Sequence, residues 1–163
     1  MSNQQLDLLE YAFRDRDASL CVMQAIQQGG GRALPNLRYL NMCETQMKLE
    51  HGRVLGEAIG GGALPKLEEL LVSMSESLGD GGVVPIMAGL EGGGCRHLKV
   101  LDMIGLGLGP QGGQALARAL ASGHLSCLRS LHLNGNEIGD QAMAEVVEGL
   151  RECHQLREIG VQG

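Results

Sequence analysis

Ser73, Asp102 and His132 are the residue types that could move protons or attack a carbonyl, and they sit 29 and 30 residues apart, with Ser130 just before the histidine. A carboxylate beside an imidazole orients it, and a base held that way can activate a serine hydroxyl for acyl transfer. Such chemistry needs a bracketed nucleophile in a cleft. No motif brackets either serine, and a neighbouring Asp–His pair on an open face more simply forms an ion pair, so no catalysis is expected. His51, His97, His124 and His154 show no H-x-x-x-H spacing and read as solvated or capping side chains. The five cysteines (Cys21, Cys43, Cys95, Cys127, Cys153) are odd in number and contain no C-x-x-C pair. Buried, reduced thiols in a cytoplasmic protein are expected, with no metal and no cofactor. The glycine runs at 29–31, 60–62 and 92–94 lack the G-x-x-x-x-G-K-[ST] and G-x-G-x-x-G patterns of phosphate cradles.

What positions these residues is a repeated unit. From Leu128 to Leu150 the apolar period changes. Leu131 and Leu133 alternate with polar residues as in a half-buried strand, whereas Ala142, Val146 and Leu150 recur every four residues as on a helix. Asp140 stands where a helix N-cap is expected. The strand anchors recur at Leu37, Leu67, Leu98, Leu128 and Leu156, in steps of 30, 31, 30 and 28 residues. Turn apolars follow at Met47, Leu78, Leu108 and Ile138, and helix apolars at Leu55, Ile86, Leu116 and Val146. One strand, turn and helix cannot enclose a core alone, so the copies must stack. The glycine runs fall just past each helix, where left-handed backbone favours glycine. Helices are expected near 50–59, 80–90, 110–121 and 140–151. Pro85 should leave the second of these short, kinked or late.

The pattern L-x-x-L-x-L-x-x-N/T-x-L followed by L-G-D-x-G-x-x-x-L-x-x-x-L resembles the leucine-rich repeat of the ribonuclease-inhibitor-like class. The resemblance covers about Leu34 to Gly163 and is similar to what is found in ribonuclease inhibitor, Ran GTPase-activating proteins and NOD-like receptors. It implies an α/β solenoid, an arc with a parallel sheet on its concave face and helices on its convex face. It also implies protein binding rather than catalysis. Regulation of a small GTPase and a structural role inside a larger receptor are the alternatives it allows. The strand–turn asparagine is kept only at Asn136; Thr45 and Ser75 could bond to backbone there, and Leu106 could not.

Composition agrees with stacked aliphatic layers. Aromatics make up 2% and glycines number 26. A net charge of −6 and a pI near 5.3 argue against a surface that tracks phosphates, so no nucleic acid partner is expected. No stretch approaches the ~18 apolar residues of a membrane span. The chain reads as one domain, 1–163, of about five repeats, with a degenerate first repeat (1–33) and a truncated last one (152–163). Residues 1–16 fit either a first strand or a helical cap, and 17–28 read as the first helix. The last strand unit has no helix after it. This suggests a fragment, or an edge where Ile159 and Val161 meet a second copy or a following domain.

In such a repeat the residues between the strand leucines face outward. They form columns: Arg38, Glu68, Lys99, Arg129, Arg157; then Tyr39, Glu69, Val100, Ser130, Glu158; then Asn41, Leu71, Asp102, His132, Gly160; then Cys43, Ser73, Ile104, Asn134, Gln162. The expected binding face for a partner protein comprises Arg38, Tyr39, Asn41, Glu69, Leu71, Ser73, Lys99, Val100, Asp102, Ile104, Ser130, His132 and Asn134. Its apolar members (Tyr39, Leu71, Val100, Ile104, with Met74 nearby) either form a patch rimmed by charge or tuck under the loops.

Overall fold

The computed structural model describes residues 34–162. The readings made for residues 1–33, including the first helix and the first glycine run, lie outside them. Five strands alternate with four helices: β1 (Tyr39–Asn41), α1 (Leu49–Gly60), β2 (Glu69–Leu71), α2 (Gly79–Glu91), β3 (Val100–Asp102), α3 (Pro110–Ala121), β4 (Ser130–His132), α4 (Asp140–Gly149) and β5 (Glu158–Gly160). A 3₁₀ turn, Leu150–Glu152, follows α4. The strands form one parallel sheet in sequence order. Leu40, Leu70, Leu101, Leu131 and Ile159 occupy one rung line, so the repeat register of the sequence is the register of the sheet.

The period change explains the two layers. Strand leucines and helix apolars converge between sheet and helices in a single core that includes Leu70, Leu101, Leu131, Leu55, Ile86, Leu116 and Val146. Sheet rungs lie about 4.8 Å apart, whereas packed helices usually sit 8–10 Å apart. Glycine narrows the mismatch on the convex side. A Cβ on Gly52 would lie 2.2 Å from the Gly82 carbonyl oxygen, and one on Gly56 would lie 2.2 Å from that of Pro85. Thus α1 and α2 meet backbone to backbone. The C-terminal glycines also serve as expected: Gly62 and Gly93 adopt φ of 74° and 82° just past α1 and α2.

Two local expectations need correction. Helix α2 is neither short nor late; at 13 residues it is longer than its neighbours despite Pro85. The carbonyl that Pro85 leaves without a helical donor is that of Gly81, an exposed residue that water can reach. Asp140 is not an N-cap. Gly139 holds that place at φ 78°, and Asp140 is the first helical residue. The reason is visible one register back: Asp80, at the matching place in α2, accepts the Gly109 amide of the next repeat at 2.7 Å. The Asp80 carboxylate thus serves the start of the neighbouring helix rather than its own.

The turns are tied between repeats in the same way. Asn136 Oδ1 accepts the amides of Leu106 and Leu108 at 3.0 and 3.1 Å. Its Nδ2 donates to the carbonyls of Met103 and Leu133, both at 2.8 Å. Leu106 has no polar side chain to offer, so the asparagine of the following repeat satisfies its backbone. Thr45 Oγ1 donates to Met42 at 2.7 Å, and Ser75 Oγ accepts the Met47 amide at 3.3 Å, as their types allowed.

Candidate protein-interaction face

Strand pairing sets the columns side by side. Tyr39, Glu69, Val100, Ser130 and Glu158 are successive partners, as are Asn41, Leu71, Asp102, His132 and Gly160. The apolar members are interleaved with polar ones rather than gathered. Val100 sits between Glu69 and Ser130, and Leu71 between Asn41 and Asp102. Leu71, Val100 and Ile104 are half-buried, while Tyr39 and Met74 are exposed at 45% and 58%. Tyr39 is held by its own strand, its hydroxyl accepting from Asn41 Nδ2 at 3.2 Å. Asn41 Oδ1 in turn accepts the Cys43 amide at 2.9 Å.

Charge on the first column is clamped by a residue outside the expected set. Glu68 takes Lys99 Nζ at 2.6 Å and Arg38 at 3.7 Å. The Lys99 hydrogen bond, helped by the charges of Lys99 and Arg38, holds the Glu68 carboxyl below the usual carboxylate range. The aligned columns already set Glu68 beside Lys99; the rotamers turn that adjacency into a clamp.

Ser73, Asp102 and His132 do meet, but not as a nucleophile and its base. The Ser73 hydroxyl donates to Asp102 Oδ1 in a short hydrogen bond and accepts the Ile104 amide at 3.0 Å. Ser73 is itself buried. Asp102 therefore stands between serine and histidine. His132 reaches only 4.0 Å from Asp102 on one side and 3.6 Å from Glu158 on the other, both longer than hydrogen bonds. The imidazole cannot take the serine proton in this arrangement. Ser130 lies half-buried beside Val100, and Asn134 Oδ1 accepts the Gln162 amide at 2.7 Å.

Two further histidines and two buried cysteines serve the fold. His51 is buried, and its Nδ1 accepts the Lys48 amide at 3.0 Å at the start of α1, a capping role rather than a solvated one. His124 Nδ1 contacts the Glu91 carbonyl oxygen at 2.7 Å, and its Nε2 lies 3.1 Å from Arg96. Burial pushes the Cys95 thiol up to about 12 and the Cys153 thiol up to about 11. Cys43, Cys95, Cys127 and Cys153 are all free thiols. Among the described residues, no cluster of His, Cys, Asp and Glu could hold a metal ion, and no helix is long and apolar enough to cross a membrane.

With this geometry in view, comparison with known proteins is informative. A family model described as Leucine Rich repeat matches residues 124–146. Ribonuclease inhibitor of Mus musculus is 41% identical over 90 residues, covering 55% of this chain and 19% of that protein. Ribonuclease inhibitor of Sus scrofa is 36% identical over 107 residues, covering 64% and 22%. The chain thus spans about a fifth of the length of these curated relatives. A solved tropomodulin C-terminal domain of Caenorhabditis elegans superposes with a TM-score of 0.66 over 86% of this chain and 83% of that one. At 17% identity, the likeness concerns the fold alone.

Proposed function

We propose that this chain, a leucine-rich-repeat protein of the ribonuclease-inhibitor-like class, binds a partner protein through the concave face of its sheet and performs no catalysis there. One observation carries the reading. The register that sends the strand leucines into a shared core also sets unlike side chains of every chemistry in columns on the opposite face. A frame held constant beneath a surface that varies suits recognition of one shape. Fold alone would not establish this, because the same scaffold hosts many functions. The likeness to ribonuclease inhibitors, proteins named for inhibiting a ribonuclease, supports it. The free thiols fit a reducing compartment such as the cytoplasm.

Tyr39 and Leu71 are the central test residues. A tyrosine presents large area at little entropic cost, and Leu71 sits mid-column, half-buried between Asn41 and Asp102. Cross-linking with mass-spectrometric identification, run on wild type and on Tyr39→Ala/Leu71→Asp, should show partners captured by the first and lost by the second. Retention of the same partners by a folded double variant would reject the concave face.

A second reading rests on β5. Ile159 and Val161 are 40% and 50% exposed, and among the described residues no strand pairs with the far side of β5. This edge would support self-association.

A further inference from the structure

Four described side chains break the rules of their own positions; one, Glu44, adopts φ 60° at the Met74 place of the first repeat, and the other three line one cleft. Met74 adopts φ 61° and Gln46 φ 54°, the left-handed region that favours glycine. The residues at the Met74 place in the next two repeats are Gly105 and Gly135, with φ of 60° and 68°. At the Gln46 place the third repeat has Gly107, φ 65°. The third cleft residue of this kind is Lys48, the N-cap of α1, a place where lysine supplies no acceptor and its positive charge meets the positive end of the helix dipole. The N-caps of α3 and α4 are Gly109 and Gly139. Where other repeats use glycine, the first two described repeats carry strained or electrostatically misplaced side chains.

These residues line a cleft of about 330 Å³ at the strand-to-helix turns after β1 and β2, together with Glu76 and Gly105. Between Val72 and Leu78 the second repeat holds one residue more than Met42–Met47, Met103–Leu108 or Leu133–Ile138 do, and this stretch lines the cleft. Met74 is 58% exposed, more than any other large hydrophobic among the described residues, and its sulfur rests over Gly105, 3.4 Å from where a Cβ would stand. Lys48 is half-buried and makes no ion pair among the described residues. Glu44 shows that backbone strain alone does not mark the cleft; what sets the cleft apart is strain joined there to an exposed thioether and a lysine without an ion pair among the described residues.

The geometry points to a peptide-docking site: the cleft takes an extended segment of a partner protein that presents one hydrophobic side chain to Met74 and one carboxylate to Lys48. The thioether is soft and unbranched and can mould to an aliphatic group. The unpaired ammonium at the helix start gains from a carboxylate both the missing counter-charge and relief from the dipole. Glu76 on the same lining repels further acid, so the segment carries one carboxylate and not a run of them. This site lies beyond the columns of the concave face and does not depend on their binding anything.

Short fluorescein-labelled peptides, each with one leucine and one aspartate at varied spacing, test it by anisotropy titration against the whole chain. At least one should bind, and exchanging its aspartate for lysine or for an aspartate run should weaken it about tenfold. Met74→Gly and Lys48→Gly install the residue that other repeats use, so each should fold as well as wild type and lose about tenfold in affinity. Lys48→Met keeps the stem and should lose the preference for aspartate over lysine while still binding. Leu71→Asp, on the concave face, should leave the peptide's affinity unchanged, which separates this site from the face proposed above. Absence of binding by every peptide, equal binding of the lysine controls, or wild-type preference in Lys48→Met would overturn the proposal.

Discussion

At the scale of single residues, the side chains that matter most for stability are polar. Asn136 satisfies four backbone groups from two repeats. Removing its amide strands amides and carbonyls at about 1–3 kcal/mol for each group that water cannot reach. Asn136→Ala should therefore cost about 2–4 kcal/mol in thermal or urea denaturation. Asn136→Asp keeps the acceptors for Leu106 and Leu108 but turns an anionic oxygen toward the Met103 and Leu133 carbonyls, so it should also destabilise. A fall no larger than that of an exposed asparagine would show that these bonds are dispensable. The thiols give a prediction with a defined sign. Cys95 is pushed from 9.0 to about 12 by burial, so above pH 9 the unfolded chain sheds a proton that the folded chain keeps. The stabilisation is whole below pH 9 and is lost as pH rises toward the folded value, at up to about 1.4 kcal/mol per pH unit for one group. Cys153, raised to about 11, adds to the same trend. Denaturant midpoints should drop between pH 9 and 11 in wild type and drop less in Cys95→Ala once its lower baseline is subtracted.

At the scale of elements, packing of the convex layer depends on missing side chains. A methyl on Gly56 would sit 2.2 Å from the Pro85 carbonyl oxygen, and rigid backbone cannot yield as a flexible side chain would. Gly56→Ala should push α1 from α2 and cost about 1–3 kcal/mol despite its better helix propensity. Gly62→Ala, at φ 74° with nothing near its Cβ, should cost less and through backbone strain alone. A stability gain in Gly56→Ala would mean that the helices can separate freely. Elements of this kind were largely legible beforehand. Period two and period four mark strands and helices directly, and four helices fall within two residues of the expected starts. The misreadings concern Asp140 and the length and start of α2. Asp80, the counterpart of Asp140, serves the helix of the next repeat, which a local window cannot see. The interaction face divides the same way. Column membership follows from register alone. The Glu68 clamp and the Asp102–Ser73 bond depend on rotamers, and the Met74 cleft depends on φ values that only an interrupted glycine column could have hinted at.

At the scale of the whole molecule, each repeat touches only its neighbours, so stability is close to a sum of repeat terms and interface terms. A charge at Leu101, in the middle rung, should therefore divide the stack more severely than one at Ile159, which is already 40% exposed. The same logic bears on β5. Among the described residues no strand pairs with its outer side; Ile159 and Val161 are exposed there, as is Val147 of α4 at 57%, with Met143, Leu150 and Leu156 partly buried against the core. A strand edge this short cannot by itself supply the ~1,000 Å² that a specific interface needs. The helix side must join it, and the whole end of the arc would then be covered. If the chain self-associates here, the interaction must be hydrophobic and resistant to salt, unlike one driven by the charges of the concave face. Sedimentation velocity across the micromolar range should show a mass that rises with concentration and changes little between low and high salt. Ile159→Lys with Val161→Lys blunts the edge in the way natural edge strands are protected, and should leave a monomer at every concentration. A wild-type chain that sediments as a monomer throughout would remove self-association and leave the concave face and the Met74 cleft as the surfaces by which this arc could meet a partner.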